Sequence, residues 1–208
     1  MRKNRKVNTV YLVQMALLIA IILIMAFTPI GYIRTLGVDI TLIVVPVAVG
    51  AVVLGPMAGT VLGAVFGLTS FIQCFGMSPF GAVLLGINPI YTFIVCFVTR
   101  TIVGGLTGLI YQGLFKLKAT RKLSVVITNL CCPLLNTVLV MGTLVLFFYQ
   151  TSYIQGFADT LGVGNPVTFI VAFVGINGVI EATVCFVVGS AISHALKKVV
   201  QNTIPEDK

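Results

Sequence analysis

Only two charged side chains interrupt the long apolar runs of this chain, Arg100 and Glu181, and that pattern decides which solvent it folds in. No charge lies between Lys6 and Arg34. Arg100 stands alone between Asp39 and Lys116, and Asp159 and Glu181 are the two charges between Lys122 and Lys197. Runs of this length with so little charge read as a polytopic membrane protein. A mean hydropathy of +1.12, with 58% hydrophobic and 9% charged residues, agrees, lying far outside the range of soluble domains. At about 20 residues per crossing, 208 residues allow about six helices and no separate soluble catalytic domain. The expected architecture is therefore an all-α membrane protein. It forms one integral membrane domain with six transmembrane helices, over about 10–28, 40–54, 57–75, 88–115, 123–148 and 166–196.

A formal net charge of +8 raises the possibility of nucleic-acid binding, but the basic residues stand where membrane topology wants them. Arg2, Lys3, Arg5 and Lys6 precede the first span, Lys116, Lys118, Arg121 and Lys122 form one connection, and Lys197, Lys198 and Lys208 follow the last span. By the positive-inside rule the loop around Ala119 and both termini are cytoplasmic, and no nucleic-acid partner is expected. The apolar run at 10–28 is too long for a signal peptide and lacks a small-x-small cleavage site, so it is expected to remain as the first span.

Punctuation between the runs follows backbone chemistry. Gly55-Pro56 makes a tight turn between spans two and three, since proline cannot continue a helix and glycine tolerates the reversal. The stretches 76–87 and 150–165 read as outer loops. Gly59, Gly63 and Gly67 recur every four residues on span three, and Gly104 and Gly108 repeat the spacing on span four. Such ridges let helix backbones approach closely, which supplies packing where lipid removes the hydrophobic effect. Ala16 and Ala20 give span one a similar small face.

The inventory for catalysis is thin. There is one histidine, His194, and one intramembrane carboxylate, with no HExxH, GxSxG or Walker A sequence. No catalytic residue, metal site or cofactor is expected, and the chain is not read as an enzyme. Cys74, Cys96, Cys131, Cys132 and Cys185 all lie in apolar segments without ligand-type spacing, and read as small core residues rather than disulfides or metal ligands.

Polar residues inside the spans converge on something else. Gln73 closes span three, Asn88 and Tyr91 open span four, Asn136 lies in span five and Asn177 in span six. Amides donate and accept together, as a cavity for a small polar solute requires, although each alone also serves as interhelical glue. At ~1.5 Å per residue, Arg100 lies about 18 Å and Glu181 about 22 Å below the same face of the membrane. The two can tie span four to span six as an ion pair. Alternatively, Arg100 meets an anionic substrate while Glu181 orients it or accepts a substrate hydroxyl.

The stretch ITLIVVPVAVGAVVLGPMAGTVLGAVFGLTSF, followed by NGVIEA beginning at Asn177, resembles the substrate-binding S component of an energy-coupling-factor (ECF) vitamin transporter. The likeness covers nearly the whole chain and is greatest for the pantothenate and folate branch. It implies a vitamin pocket formed by the outer halves of spans four to six and capped by the loops after spans one and three. It also implies docking on a transmembrane coupling protein driven by two ABC-type ATPase subunits, so that ATP is used by the partners and not by this chain. The docking face of the family carries an AxxxA pattern, matched by Ala16 and Ala20, which assigns those alanines to a partner interface.

Two departures bear on the substrate. Val44 and Val45 stand where several relatives place a polar residue before the proline of span two, here Pro46. The absence of tryptophan removes a stacking platform for a large pterin, although Phe71, Phe75, Phe80, Tyr91 and Tyr153 offer rings. Pantothenate, small and singly anionic, is the first choice, with another vitamin such as folate as the alternative within the family. A stand-alone secondary transporter is the alternative outside it, but such proteins typically show paired repeats with broken helices, which this sequence lacks.

Overall fold

The structure is a computed structural model that describes residues 9–28, 31–33, 40–117, 120, 121 and 123–203, with the backbone alone for 33, 40, 176, 177 and 199–203. Arg2, Lys3, Arg5, Lys6, Pro29, Arg34, Asp39, Lys118, Ala119, Lys122 and Lys208 lie outside the described residues.

Helix dominates, in the order α1 (Thr9–Phe27), α2 (Val44–Leu54), α3 (Pro56–Gln73), α4 (Pro79–Ile87), α5 (Pro89–Phe93), α6 (Thr99–Lys116), α7 (Ser124–Phe148), α8 (Ser152–Thr160), α9 (Pro166–Val184) and α10 (Ser190–Thr203). Two five-residue π turns, Ile94–Val98 and Cys185–Gly189, join α5 to α6 and α9 to α10 without a break. Between α1 and α2 the chain makes a short antiparallel ribbon, β1 (Tyr32–Ile33) against β2 (Ile40–Thr41), pairing Tyr32 with Thr41.

Among the described residues, five helices are long and apolar enough to cross a membrane: Thr9–Phe27, Pro56–Gln73, Pro89–Lys116, Ser124–Phe148 and Gly178–Lys198. The expected second span is shorter than its hydropathy implied. Its first residues pair in the ribbon, and the helix proper has 11 residues, with Pro46 in its first turn where the lost N–H costs little. Val44 through Val52 are all buried, because a helix apolar on every side can be enclosed by α1, α3, α6, α7 and α10 instead of facing lipid. Val44 and Val45, at the position where a polar residue was sought, belong to this core. The two expected loops each hold a helix, α4 and α8. Ser78-Pro79 starts α4, with the Ser78 side chain accepting from the Gly81 N–H and Pro79 supplying a preset φ.

The most intimate contact joins α3 to the span-four helix, and the glycine ridges make it. A Cβ at Gly59 would meet the Gly104 carbonyl, one at Gly63 the Arg100 carbonyl, and one at Gly67 the Cα of Phe97. One at Gly108 would run into Pro56 at the foot of α3. Backbone thus lies directly on backbone, as small-residue packing in lipid allows. At the foot of α3, Gly55 turns the chain with φ of +96°, a value L side chains rarely adopt.

Helix α1 has a different role. Leu18, Ile22 and Ala26 face the bundle, while Ala16 and Ala20 are exposed on the other side beside Val13, Leu17 and Ile24. The alanine pair is not used for internal packing.

Replacing Gly63 with leucine has no side-chain escape, since the atoms in the way are backbone of Arg100 and Thr101. Gly63→Leu is expected to destabilise the protein by about 3 kcal/mol. Gly113→Leu, where nothing lies within 4 Å of a built Cβ, is expected to be near neutral. Thermal melting in detergent distinguishes the two.

Candidate functional site

Arg100 is the residue around which a site can be built. It is buried, 9% exposed, on the first turn of α6 just past the π turn Ile94–Val98. A π turn shifts the hydrogen-bond ladder by one residue and leaves carbonyls without their ordinary partners. The Thr99 N–H bonds to Ile94 instead of Val95. The freed oxygens are taken up by side chains: Thr99 Oγ1 donates to the Val95 carbonyl at 2.5 Å, and Arg100 Nη1 donates to Val95 and Cys96 at 3.4 and 3.2 Å. The guanidinium carbon sits 4.7 Å from the centre of the Phe66 ring, a cation–π contact that helps hold the charge away from water. Its Nε is buried without an acceptor, and among the described residues no carboxylate pairs with it.

Glu181 hydrogen-bonds elsewhere. It is equally buried and its Oε1 accepts the Thr41 backbone N–H at 2.6 Å, tying α9 to the ribbon. The two charges therefore sit in one region with separate partners, and the ion-pair alternative raised by their matching depth is not formed.

Arg100 forms part of the wall of a cavity of about 90 Å³ at the end of the bundle that carries α4 and α8. Tyr32 and Thr41 of the ribbon, Ser70 and Gln73 of α3 with Cys74 at its C-cap, Ser78 and Phe80 at α4, Cys96 of the π turn and Met141 of α7 line it with Arg100. Gln73 is held in place by donating Nε2 to the Ala26 carbonyl at the end of α1. Asn136 is buried one helical turn before the lining residue Val140, with its Oδ1 lacking a partner. Of the expected site residues, Arg100 and Gln73 line this cavity, Glu181 stands behind Thr41, and Asn136 lies just below.

Two others are placed apart from it. The Asn88 side chain accepts the N–H groups of Ile90 and Tyr91, both at 3.1 Å, and so caps α5. Tyr91 is 39% exposed and stacks on Phe147, ring centres 4.5 Å apart. The side chain of Asn177 lies outside the described residues, and among the described residues of span six none lines the cavity, so α3 and α4 take the share expected from it. Among the candidate rings only Phe80 reaches the wall, packed against Tyr153, Phe157 and Phe173. Desolvation raises the Tyr153 phenol above its usual pKa, which keeps it neutral. A larger hollow of about 550 Å³ between α7 and α9 is lined by aliphatic residues, Phe186 and two threonines, and opens among exposed Val171 and Val179.

Sequence reasoning missed Thr41, Ser70, Ser78, Cys74 and Cys96. Ser78 had a local signal, the Ser-Pro pair of a helix start. The others had none, because a serine or cysteine in an apolar helix looks the same whether it faces a neighbour or a cavity.

The end of the bundle opposite the cavity is cationic. Arg121 and Lys197 lie over the rings of Phe115 and Tyr111, at 4.6 and 4.3 Å. Comparison with known proteins bears on what such a bundle is. The family described as "ECF transporter, substrate-specific component" matches residues 10–193. The chain belongs to that family. Its members are transporter components and not enzymes, and this one is a multi-pass protein of the cell membrane. A curated relative, the pantothenic acid transporter PanT of Lactococcus lactis subsp. cremoris (strain MG1363), is 28% identical over 177 residues. The match covers 78% of this chain and 80% of that protein.

The Thr41–Glu181 bond makes a stability prediction. Glu181→Ala removes the acceptor that the Thr41 N–H uses, at a cost of about 1–3 kcal/mol, whereas Glu181→Gln keeps an oxygen there. The alanine variant is expected to melt well below the glutamine variant in the same detergent.

Proposed function

We propose that this chain is the solute-capturing subunit of an ATP-driven ECF vitamin importer, and that pantothenate is its solute. Membership of the substrate-specific family supports the first part, and similarity to a pantothenic acid transporter supports the second. The observation that carries the assignment is Arg100, a buried cation in the cavity wall with no carboxylate partner among the described residues. Holding a charge in hydrocarbon is costly, and an anionic ligand offsets that cost when it binds. Pantothenate brings one carboxylate for Arg100, and hydroxyls and an amide for Gln73, Ser70, Ser78 and the Thr41 region. Asn136 and Glu181 support the floor and the ribbon. Asn88 and Tyr91 act at a distance, by fixing the start of span four.

Topology follows from charge. With α2 counted as a crossing the chain has six, both termini are cytoplasmic beside Lys116, Arg121 and Lys197, and the cavity faces outward. At about 90 Å³ the cavity is smaller than the roughly 300 Å³ at which small-molecule pockets begin, so capture includes an outward shift of α4. Energy comes from partners, a transmembrane coupling protein and two ABC-type ATPases, with which the exposed Ala16 and Ala20 face makes contact.

Arg100→Ala is expected to weaken pantothenate binding by about 10- to 100-fold while the protein still folds. Titration of radiolabelled pantothenate onto the full chain in detergent measures this, and unchanged affinity rejects the role. Replacing Ala16 and Ala20 by leucine is expected to leave binding intact and abolish uptake in cells expressing the whole transporter. The isolated chain in liposomes is expected to accumulate nothing, and accumulation against a gradient favours a secondary transporter instead.

A further inference from the structure

We propose that Cys74 and Cys96 form an oxidation site in the cavity wall. A peroxide small enough to enter couples them into a disulfide, which suppresses ligand capture until a reductant reopens it. The effect on capture rests on the reading of this cavity as the ligand site, whereas the chemistry of the two thiols does not.

Both cysteines are free, both are buried, and both line the cavity with Arg100. Their sulfurs are 3.8 Å apart, already in van der Waals contact. The glycine ladder holds the two helices together below this contact. Gly59 meets Gly104, Gly63 meets Arg100, and Gly67 meets Phe97 and Cys96, so the two antiparallel helices stay at backbone contact up to the level of the π turn. Cys74 lies two turns beyond Gly67, just past the end of α3, and meets Cys96 through the side chains. Joining the sulfurs at about 2.05 Å moves them together by less than about 2 Å. The competing bond of Cys74, to the Ser70 carbonyl at 3.4 Å, is a weak one that rotation can give up.

The remaining cysteines do not share this setting. Cys131, Cys132 and Cys185 are absent from the cavity lining, and Cys132 and Cys185 belong to the apolar core. A cavity of about 90 Å³ also selects the oxidant, admitting hydrogen peroxide more readily than a bulky disulfide.

The reaction balances in two steps. The thiolate of one cysteine attacks a peroxide oxygen and breaks the O–O bond, giving a sulfenic acid and, with one proton, water. The second thiol attacks that sulfur, forms the S–S bond and releases the hydroxyl as a second water. Overall, two thiols lose two hydrogens and one peroxide becomes two waters. Cys96 also anchors Arg100 through its carbonyl at 3.2 Å, so drawing Cys96 toward α3 disturbs the guanidinium that faces the ligand.

The test uses the full chain, purified reduced in detergent, treated with hydrogen peroxide, alkylated and mapped by mass spectrometry, with pantothenate as the binding probe. The expected result is one cross-linked peptide joining Cys74 to Cys96 and a fall in pantothenate affinity of about tenfold or more, restored by a phosphine reductant. Cys74→Ser and Cys96→Ala, whatever their affinities before treatment, are expected to keep them afterwards. Sulfinic or sulfonic acid on either cysteine without a cross-link overturns the proposal, as does a cross-link that leaves affinity unchanged. A chain that forms the cross-link but binds no pantothenate upholds the thiol pair and overturns the ligand assignment instead.

Discussion

The contact between α3 and the span-four helix is the constraint on which the remaining structure depends. In lipid, burying apolar side chains against one another gains little over leaving them among acyl chains, so helices associate where backbones can touch. Gly59, Gly63 and Gly67 on one side and Gly104 with the Arg100 and Phe97 backbone on the other provide that contact. Everything at the cavity end is placed by it. Ser70, Gln73 and Cys74 continue the α3 side beyond the last glycine, and Cys96 and Arg100 face them from the partner helix.

The buried charges are accommodated by irregular backbone. Arg100 follows one π turn and Glu181 precedes the other by four residues. An α-helix in hydrocarbon has no carbonyl to spare, because each is used by the N–H four residues on. A π turn releases carbonyls, and Arg100 and Thr99 donate to them. The arginine is thereby positioned without a carboxylate partner among the described residues. Glu181 accepts the Thr41 N–H, so the ribbon that lines the cavity is tied to span six through Thr41.

Much of the fold was legible in the chain because hydropathy and charge act over whole segments. Four of the expected segments coincide with helical runs to within two residues at both ends, and the run that begins at Pro166 extends to Thr203. Span two misled because hydropathy measures dislike of water and cannot tell a helix enclosed by protein from one facing lipid. The helices α4 and α8 were missed for the opposite reason, since they are short and flanked by turn residues, and α4 showed itself only in Ser78-Pro79. At the site, Arg100, Glu181 and Gln73 stood out as polar groups with no place in lipid. Asn88 stood out equally and serves as a helix cap, because an amide at a helix start has the same sequence signature as one facing a solute.

What the sequence by itself determined is the solvent, the helical class, the side on which the basic residues gather and the two charges that require explanation. Each follows from transfer free energies summed along the chain, which need no knowledge of neighbours. Only the tertiary structure decided that Arg100 and Glu181 keep separate partners, that Thr41, Cys74 and Cys96 share a wall with Arg100, and that Ala16 and Ala20 face outward. Those outcomes depend on helix rotation and register, which are set by contacts between segments far apart in the chain and leave no local trace.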